Sequence, residues 1–160
     1  MQRLLLPLLL LVLGACDKGH LIDDDAARLR GEYSVQSYVV NHDTLFSAGR
    51  INKIDVTDFK VNVSRKSADS LSIWYSWIRK SKPNAVLIRQ LRLSGKDDQY
   101  QLARSSAPPL FYEGTISRGV YTEHTSLAGL GFILLPDNYP LEGTSEPGGG
   151  RVEIVARREE

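Results

Sequence analysis

The stretch that decides the fold is S-L-S-I-W-Y-S-W-I, residues 70–78. Its apolar positions 71, 73, 75 and 77 alternate with polar ones, and the last two of them are Tyr75 and Trp77. Successive side chains of a β-strand point to opposite faces of the sheet, so this pattern predicts a strand with one buried face. The four apolar residues therefore point inward, and Trp74 lies among serines on a polar outer face.

The same kind of pattern continues through the rest of the chain. Short segments rich in β-branched and aromatic residues alternate with turns that contain Gly, Pro, Asn and Asp. We expect helix only near residues 24–30 and 126–129. The pattern predicts an all-β antiparallel domain, either an up-and-down β-barrel of about 8–10 short strands or a β-sandwich. The predicted strands are 33–40, 51–56, 59–63, 71–78, 85–93, 99–103, 110–117, 120–125, 131–135 and 152–156.

Residues 1–15 have the features of a signal peptide. Arg3 supplies a positive charge, and residues 4–13 are apolar except for Pro7. Ten residues rise only about 15 Å as a helix, half the thickness of the hydrocarbon core, so the segment is too short to span a membrane. A short apolar stretch that ends in small residues is typical of a secretory signal, and Pro7 disfavours the alternative of a buried helix.

The single cysteine of the chain follows directly, in the sequence Leu13-Gly14-Ala15-Cys16. This motif resembles the lipobox of bacterial lipoproteins. The resemblance implies cleavage before Cys16, a diacylglyceryl thioether on its sulfur, and an acyl chain such as palmitate on the new N-terminus. Each methylene placed in the bilayer contributes ~0.8 kcal/mol, so several chains give a lasting anchor. The alternative is a cleaved, soluble exported protein whose cysteine stays unmodified.

Residues 16–28 predict a flexible tether, because they are polar and without period, and residues 29–160 then form the barrel domain. Asp17 resembles an inner-membrane retention signal of some bacterial lineages, whereas the acidic run at 23–25 resembles a surface-export signal of others. The same acids suit the capping of a short helical turn. We expect a lipid-anchored protein of the cell envelope. The outer membrane, facing the periplasm or the cell surface, is favoured over the inner membrane.

Residues 25–33, D-A-A-R-L-R-G-E-Y, resemble the start of a lipocalin-like (calycin) β-barrel. In that family a short helical turn precedes a Gly-x-Trp sequence whose aromatic ring closes the base of the barrel, and here Tyr33 stands in place of the Trp. The resemblance favours a lipocalin-like barrel over a sandwich. It implies a small apolar or amphipathic ligand held in the barrel interior.

Composition and motifs exclude several functional classes. The chain has 20 Lys and Arg against 19 Asp and Glu, and loss of Arg3 with the leader makes it formally neutral, which argues against nucleic-acid binding. One cysteine excludes an intrachain disulfide. Three scattered histidines give no metal-binding spacing, and no Gly-x-Ser-x-Gly elbow or phosphate-binding loop occurs. We therefore expect a non-enzyme without metal or cofactor.

Five aromatic side chains are candidates to line a ligand site within the barrel. An eight-stranded barrel is just wide enough to be filled by side chains or to hold one small ligand, so the same rings also suit a packed core. The five candidates are Tyr33, Tyr75, Trp77, Tyr112 and Tyr121.

Two functions remain open at this point. The first is a membrane-anchored, non-catalytic lipoprotein whose barrel binds a small apolar or amphipathic ligand. The second is a protein-interaction module, either an envelope-complex subunit or an enzyme inhibitor, that uses the outer face around Trp74. The two hypotheses differ in whether Tyr75 and Trp77 face a cavity or a filled core.

Overall fold

The computed structural model describes residues 23–85, 89–104, 112–130, 134–140 and 150–159. The predicted signal peptide, Cys16 and most of the predicted tether lie outside these residues.

Within the described residues the chain forms two short helices and eleven strands. The helices are α1 (Asp25–Leu29) and α2 (Leu127–Leu130). The strands are β1 (Gly31–Val40), β2 (Asp43–Ser47), β3 (Ile51–Asn52), β4 (Val56–Ser67), β5 (Ser70–Arg79), β6 (Lys82–Ala85), β7 (Arg89–Lys96), β8 (Gln99–Arg104), β9 (Tyr112–Ser117), β10 (Val120–Ser126) and β11 (Arg151–Arg158).

Eight of these strands close an antiparallel barrel. Its order is β1, β4, β5, β7, β8, β9, β10 and β11, and β11 pairs back with β1. Each of these strands pairs with the next one along the chain, which is up-and-down topology. The β2–β3 hairpin extends the edge of β1, and β6 pairs with the end of β5. The predicted fold class, an all-β up-and-down barrel, is confirmed, and the helices lie close to the two predicted places.

The boundaries of two predicted strands were wrong because β4 contains an irregularity. Separate strands were predicted at 51–56 and 59–63, whereas β3 covers only two residues and β4 runs unbroken from Val56 to Ser67. The register of β4 against β5 shifts between Thr57 and Lys60, and Asp58 between them has a φ of 51°. A bulge of this kind interrupts the period of two, so the sequence pattern reads as two strands.

Two other segments also differ from the prediction. No strand was predicted at 43–47, and these residues form β2, in which only the central residue, Leu45, is buried. A strand was predicted at 131–135. Residues 131–133 lie outside the described residues, and residues 134 and 135 are not in a strand.

The two ends of the barrel are built differently. At one end, the base, the β4–β5, β7–β8 and β9–β10 connections are two residues long. The last two of these turns use left-handed backbone at 97, 98, 118 and 119, as tight hairpins require. At the other end, the mouth, the longer connections β1–β4, β5–β7, β8–β9 and β10–β11 join the strands.

The base is closed by α1 and the first residues of β1. Tyr33 is fully buried, and its hydroxyl donates a hydrogen bond of 2.8 Å to the carbonyl of Leu29. The guanidinium of Arg158 donates to the carbonyls of Arg28 and Arg30, at 2.9 and 3.0 Å. These bonds satisfy carbonyl groups that a helix C-terminus leaves without an intrahelical partner.

The start of α1 is held to β4 by Asp24. Its carboxylate accepts a 2.8 Å hydrogen bond from the backbone N–H of Ala27, as an N-cap does, and it also pairs with Arg65 at 2.8 Å. The side chain of Ala26 is fully buried in the core. Helix α1 therefore packs against the barrel, and it begins just ahead of residue 29, where the barrel domain was predicted to begin.

Candidate functional site

A buried carboxylate lies inside the barrel on β10. Glu123 is only 1% exposed and shares the inner face of the strand with Tyr121. It accepts hydrogen bonds from the hydroxyl of Tyr121, at 2.6 Å, and from the hydroxyl of Tyr75. Its other oxygen pairs with the guanidinium of Arg89. A carboxylate removed from water is costly unless it is paired and hydrogen-bonded, and these three donors meet that need.

Two arginines and a second glutamate extend this group toward the mouth. Arg89, the first residue of β7, also contacts Glu113 with an N–O distance of 3.3 Å, and Arg104, the last residue of β8, pairs with the other oxygen of Glu113. The order Glu123, Arg89, Glu113, Arg104 therefore alternates negative and positive charge. We call these four residues the charged cluster.

The exposure of the charged cluster is lowest at its inner end and highest at its outer end. The side chain of Glu123 is 1% exposed and that of Glu113 is 9% exposed, while Arg89 reaches 13% and Arg104 reaches 41%. Arg104 is therefore the member of the cluster that solvent reaches most readily. The cluster connects the barrel interior with its mouth.

Glu113 enters the barrel because β9 bulges at this residue. Leu102 of β8 pairs with Gly114, but the next residue, Ala103, pairs with Tyr112, so Glu113 is the extra residue between two pairs. Strict alternation from the inward-facing end of β9 would place this side chain outside. The bulge re-aims it toward the guanidinium groups.

The neighbouring residue of the bulge has to be glycine. A Cβ on Gly114 would lie 2.4 Å from the carbonyl oxygen of Thr122, which is closer than real Cβ contacts occur. Gly114 pairs with Glu123 across the β9–β10 ladder. The missing side chain therefore lets β10 approach closely at the position that carries the buried carboxylate.

The environment of the cluster shifts several pKa values. Burial, with the nearby charge of Glu123, raises the pKa of Tyr75 and that of Tyr121 well above 10, so both phenols stay protonated donors. Burial also raises the pKa of Glu113, although Arg89 and Arg104 oppose the shift. The surroundings of Glu113 therefore shift it toward its neutral form, against the influence of its two arginines.

Arg89 stays charged in spite of its burial. Burial lowers the pKa of Arg89, but the opposing influence of Tyr75, Glu123 and Tyr121 is larger and raises it above its ordinary value. The guanidinium carbon also lies 5.4 Å from the ring centroid of Tyr75, within the range of a cation–π contact. Arg89 is therefore a fixed positive charge between the two carboxylates of the cluster.

The opposite side of the barrel is apolar. Phe59 of β4 is surrounded by Trp77, Tyr38 and Phe46, with ring centroids 6.1, 5.9 and 5.7 Å away and interplanar angles of 74° to 79°. Such edge-to-face pairs are the favoured geometry of aromatic rings. We call these four residues the aromatic wall. Its barrel strands β1, β4 and β5 lie opposite β8, β9 and β10 in the closed order, and these carry three members of the charged cluster, whereas Arg89 lies on β7 next to β5.

The structure brings some of the predicted site residues together and separates others. The hydroxyls of Tyr75 and Tyr121 are 3.2 Å apart in the cluster region. Trp77 belongs to the aromatic wall, and Tyr33 closes the base. Tyr75 and Trp77 are thus packed among protein groups, with 0% and 9% exposure, so in the described part of the chain they belong to a filled core and do not line an open cavity.

The remaining predicted residues are placed as follows. Trp74 is half-buried and pairs in register with Asn62, next to an Asn62–Ser76 hydrogen bond of 2.9 Å. It therefore lies on the outer face, as predicted. Tyr112 is the first residue of β9, but its side chain lies outside the described residues, as does Cys16.

Sequence reasoning missed all four members of the charged cluster. A period-two pattern places Glu123 on the face of Tyr121 and Arg89 on the face of Leu91, so this signal was present in β10 and β7. For Glu113 no such signal existed, because the bulge inverts the face that alternation predicts.

Three depressions lined by described residues lie around the barrel. Two of about 660 and 700 Å³ lie at the base, around the β9–β10 and β7–β8 turns, and one of about 190 Å³ lies at the mouth beside Val39 and Arg151. Neither Tyr75 nor Trp77 lines any of these three. The candidate site therefore rests on the charged cluster and the aromatic wall.

Comparison of the chain with protein-family models, curated proteins and solved structures gives no match. In the described part of the chain, no three His, Cys, Asp or Glu side chains are grouped so that they could hold a metal ion. No helix among the described residues is long and apolar enough to cross a membrane.

Proposed function

We propose that this chain is a lipid-anchored, non-catalytic protein of the bacterial cell envelope whose barrel binds a small amphipathic ligand at its mouth. The observation that carries the proposal is the placement of the aromatic wall and the charged cluster on opposite sides of one barrel. An amphipathic molecule presents the same two chemistries, an apolar chain and a polar head.

The two sides would contribute to binding in different ways. Because Phe59 and Trp77 are nearly buried, an apolar ligand chain would have to displace part of the packing around them, and apolar ligand surface buried there contributes roughly 25 cal/mol per Å². A polar head placed at Arg104 would exchange water for charge-assisted hydrogen bonds and set the orientation of the ligand. Arg104 is suited to meet it first, because it is the most exposed member of the charged cluster.

The proposed anchor rests on the lipobox-like sequence that ends at Cys16. Because the described domain begins with α1 at the base, the tether would hold the base toward the membrane and leave the mouth facing away. The outer membrane, with the domain in the periplasm or at the surface, is the favoured location.

Mass spectrometry of the envelope-extracted protein should show an acylated peptide that begins at Cys16, and Cys16→Ser should abolish it. An intact Met1 or a free Cys16 thiol would contradict the anchor.

Tryptophan fluorescence tests the binding site, because the chain has only two tryptophans. In Trp74→Ala the remaining emission comes from Trp77, so titration with decyl sulfate, decanol or decyltrimethylammonium should change it. For whichever of these amphiphiles binds, Trp77→Phe should weaken the affinity about tenfold. Trp74→Ala should leave that affinity within twofold of the wild type. Affinity is followed by calorimetry in every variant.

The same pair of variants separates the proposal from the protein-contact alternative. Lack of binding by all three amphiphiles would overturn the proposal. A protein partner whose binding is weakened by Trp74→Ala and not by Trp77→Phe would instead support a contact surface on the outer face of β5.

A further inference from the structure

The charged cluster is formally neutral. Arg89 and Arg104 contribute two positive charges, and Glu113 and Glu123 contribute two negative ones. The cluster therefore has no surplus charge to attract an ion of either sign. Any charged head group that enters it has to displace a partner or change the protonation of the cluster.

The two carboxylates of the cluster are held unequally. Glu123 has three donors, two phenol hydroxyls and the guanidinium of Arg89, and is fully enclosed. Glu113 is held by its two ion pairs with Arg89 and Arg104, on the side toward the mouth. Of the two, Glu113 is the one that an incoming group can replace, because the most exposed guanidinium of the cluster is its own partner.

We propose that Arg104 binds the head group of an anionic single-chain amphiphile and that Glu113 takes up one proton from solvent as it does so. This inference rests on the proposed function of the barrel. An anion added to a neutral, largely buried cluster leaves one uncompensated negative charge, which a low-dielectric site disfavours. Protonation of Glu113 removes that charge and releases Arg104 from its carboxylate, so the ligand anion takes its place.

The groups around Glu113 agree with this exchange. Arg89 from β7 and Arg104 from β8 favour its ionised form, whereas burial and the charge of Glu123 from β10 raise its pKa. Tyr75 of β5 contacts Arg89 as a neutral phenol. A ligand anion at Arg104 would offset one of the two positive charges that oppose protonation of Glu113, so proton uptake becomes more favourable when the anion arrives.

The test measures proton uptake directly. The full chain is reconstituted in phosphatidylcholine nanodiscs, with protein-free nanodiscs as the blank, and is titrated with decyl sulfate, which stays ionised between pH 5 and 8. Calorimetry at pH 7 in phosphate and in imidazole buffer, which differ in ionisation enthalpy, gives the number of protons taken up. We expect the uptake of close to one proton for each decyl sulfate bound. At pH values above the pKa of Glu113, the affinity for decyl sulfate should rise up to about tenfold for each unit by which the pH is lowered.

Three variants locate the proton and the anion. Glu113→Gln should reduce the proton uptake to near zero and remove the pH dependence of the affinity for decyl sulfate. Arg104→Gln should lose the preference for decyl sulfate over decyltrimethylammonium. Arg92→Gln, on the exposed outer face of β7, removes the same charge outside the barrel and should behave as the wild type. Far-UV circular dichroism checks that each variant is folded, and the proton count of the wild type tests the inference without any of them.

The outcomes separate the inference from the function on which it rests. Binding of decyl sulfate without proton uptake, or equal binding of decyltrimethylammonium by the wild type, overturns the inference and leaves ligand binding intact. No binding of either amphiphile or of decanol overturns both.

Discussion

The aromatic wall and the charged cluster occupy opposite sides of the same barrel but hold it together by different physics. The rings around Phe59 gain free energy from buried apolar area, which is non-directional and depends on volume. The charged cluster depends on partners, because each buried charge is tolerated only while its counter-charge is present. The wall should therefore respond to mutation gradually, and the cluster should respond as one unit.

The largest expected effect comes from removing the innermost charge of the cluster. Glu123→Ala takes the anion from Arg89 and leaves the hydroxyls of Tyr75 and Tyr121 without their acceptor. We expect a loss of ~3–5 kcal/mol in the free energy of unfolding, as for other broken buried pairs. Urea unfolding followed by circular dichroism measures it.

A double-mutant cycle shows whether the cluster behaves as one unit. Arg89→Met combined with Glu123→Ala should cost clearly less than the sum of the single changes, since the double variant removes both charges of the contact together. Glu153→Ala, on the half-exposed outer side of β11, serves as the control and should stay within about 0.5 kcal/mol of the wild type. Additive losses would show that the cluster is a set of independent contacts.

The second expected effect tests the backbone that presents the cluster. Gly114→Ala places a methyl group against the carbonyl of Thr122, so β9 and β10 have to separate beside Glu123. We expect a loss of ~1–3 kcal/mol, in the range of overpacking. Thr115→Ala, one residue further on the exposed face, should change the free energy of unfolding by less than about 0.5 kcal/mol. Equal effects would show that the ladder yields easily at this glycine.

The two sides also differ in how much of them the sequence could predict. Tyr75 and Trp77 were identified because β5 keeps an unbroken alternation, so the inward face could be read directly. The bulges at Asp58 and Glu113 are set by tertiary pairing between strands, and a single sequence carries no local signal for them. Buried arginine and glutamate are also read first as surface residues, because they enter a core only with partners that are distant in sequence.

The smallest expected effect compares two carboxylates whose pKa values shift in opposite directions. A hydrogen bond from Arg65, and one from the backbone of Ala27, lower the pKa of Asp24 at the base, whereas burial raises that of Glu113 near the mouth. Asp24→Asn keeps a good N-cap without the charge, and Glu113→Gln keeps the shape of the side chain. Each variant therefore removes one titrating group and little else.

The signs of the two effects are opposite and their pH ranges are separate. For Glu113 the native state binds the proton at a higher pH than the unfolded state does. The wild type therefore gains stability as the pH falls from the raised pKa toward the ordinary value of 4.5. Any stability advantage of Glu113→Gln over the wild type shrinks over that range. For Asp24 the unfolded state binds the proton first. The advantage of the wild type over Asp24→Asn is therefore present above 3.8 and is lost as the pH falls below that value. Urea unfolding of the three proteins from pH 7.5 to 3 measures both trends. If both variants followed the wild type in parallel, neither carboxylate would couple its charge to folding, and the contrast between the closed base and the charged interior would concern geometry alone.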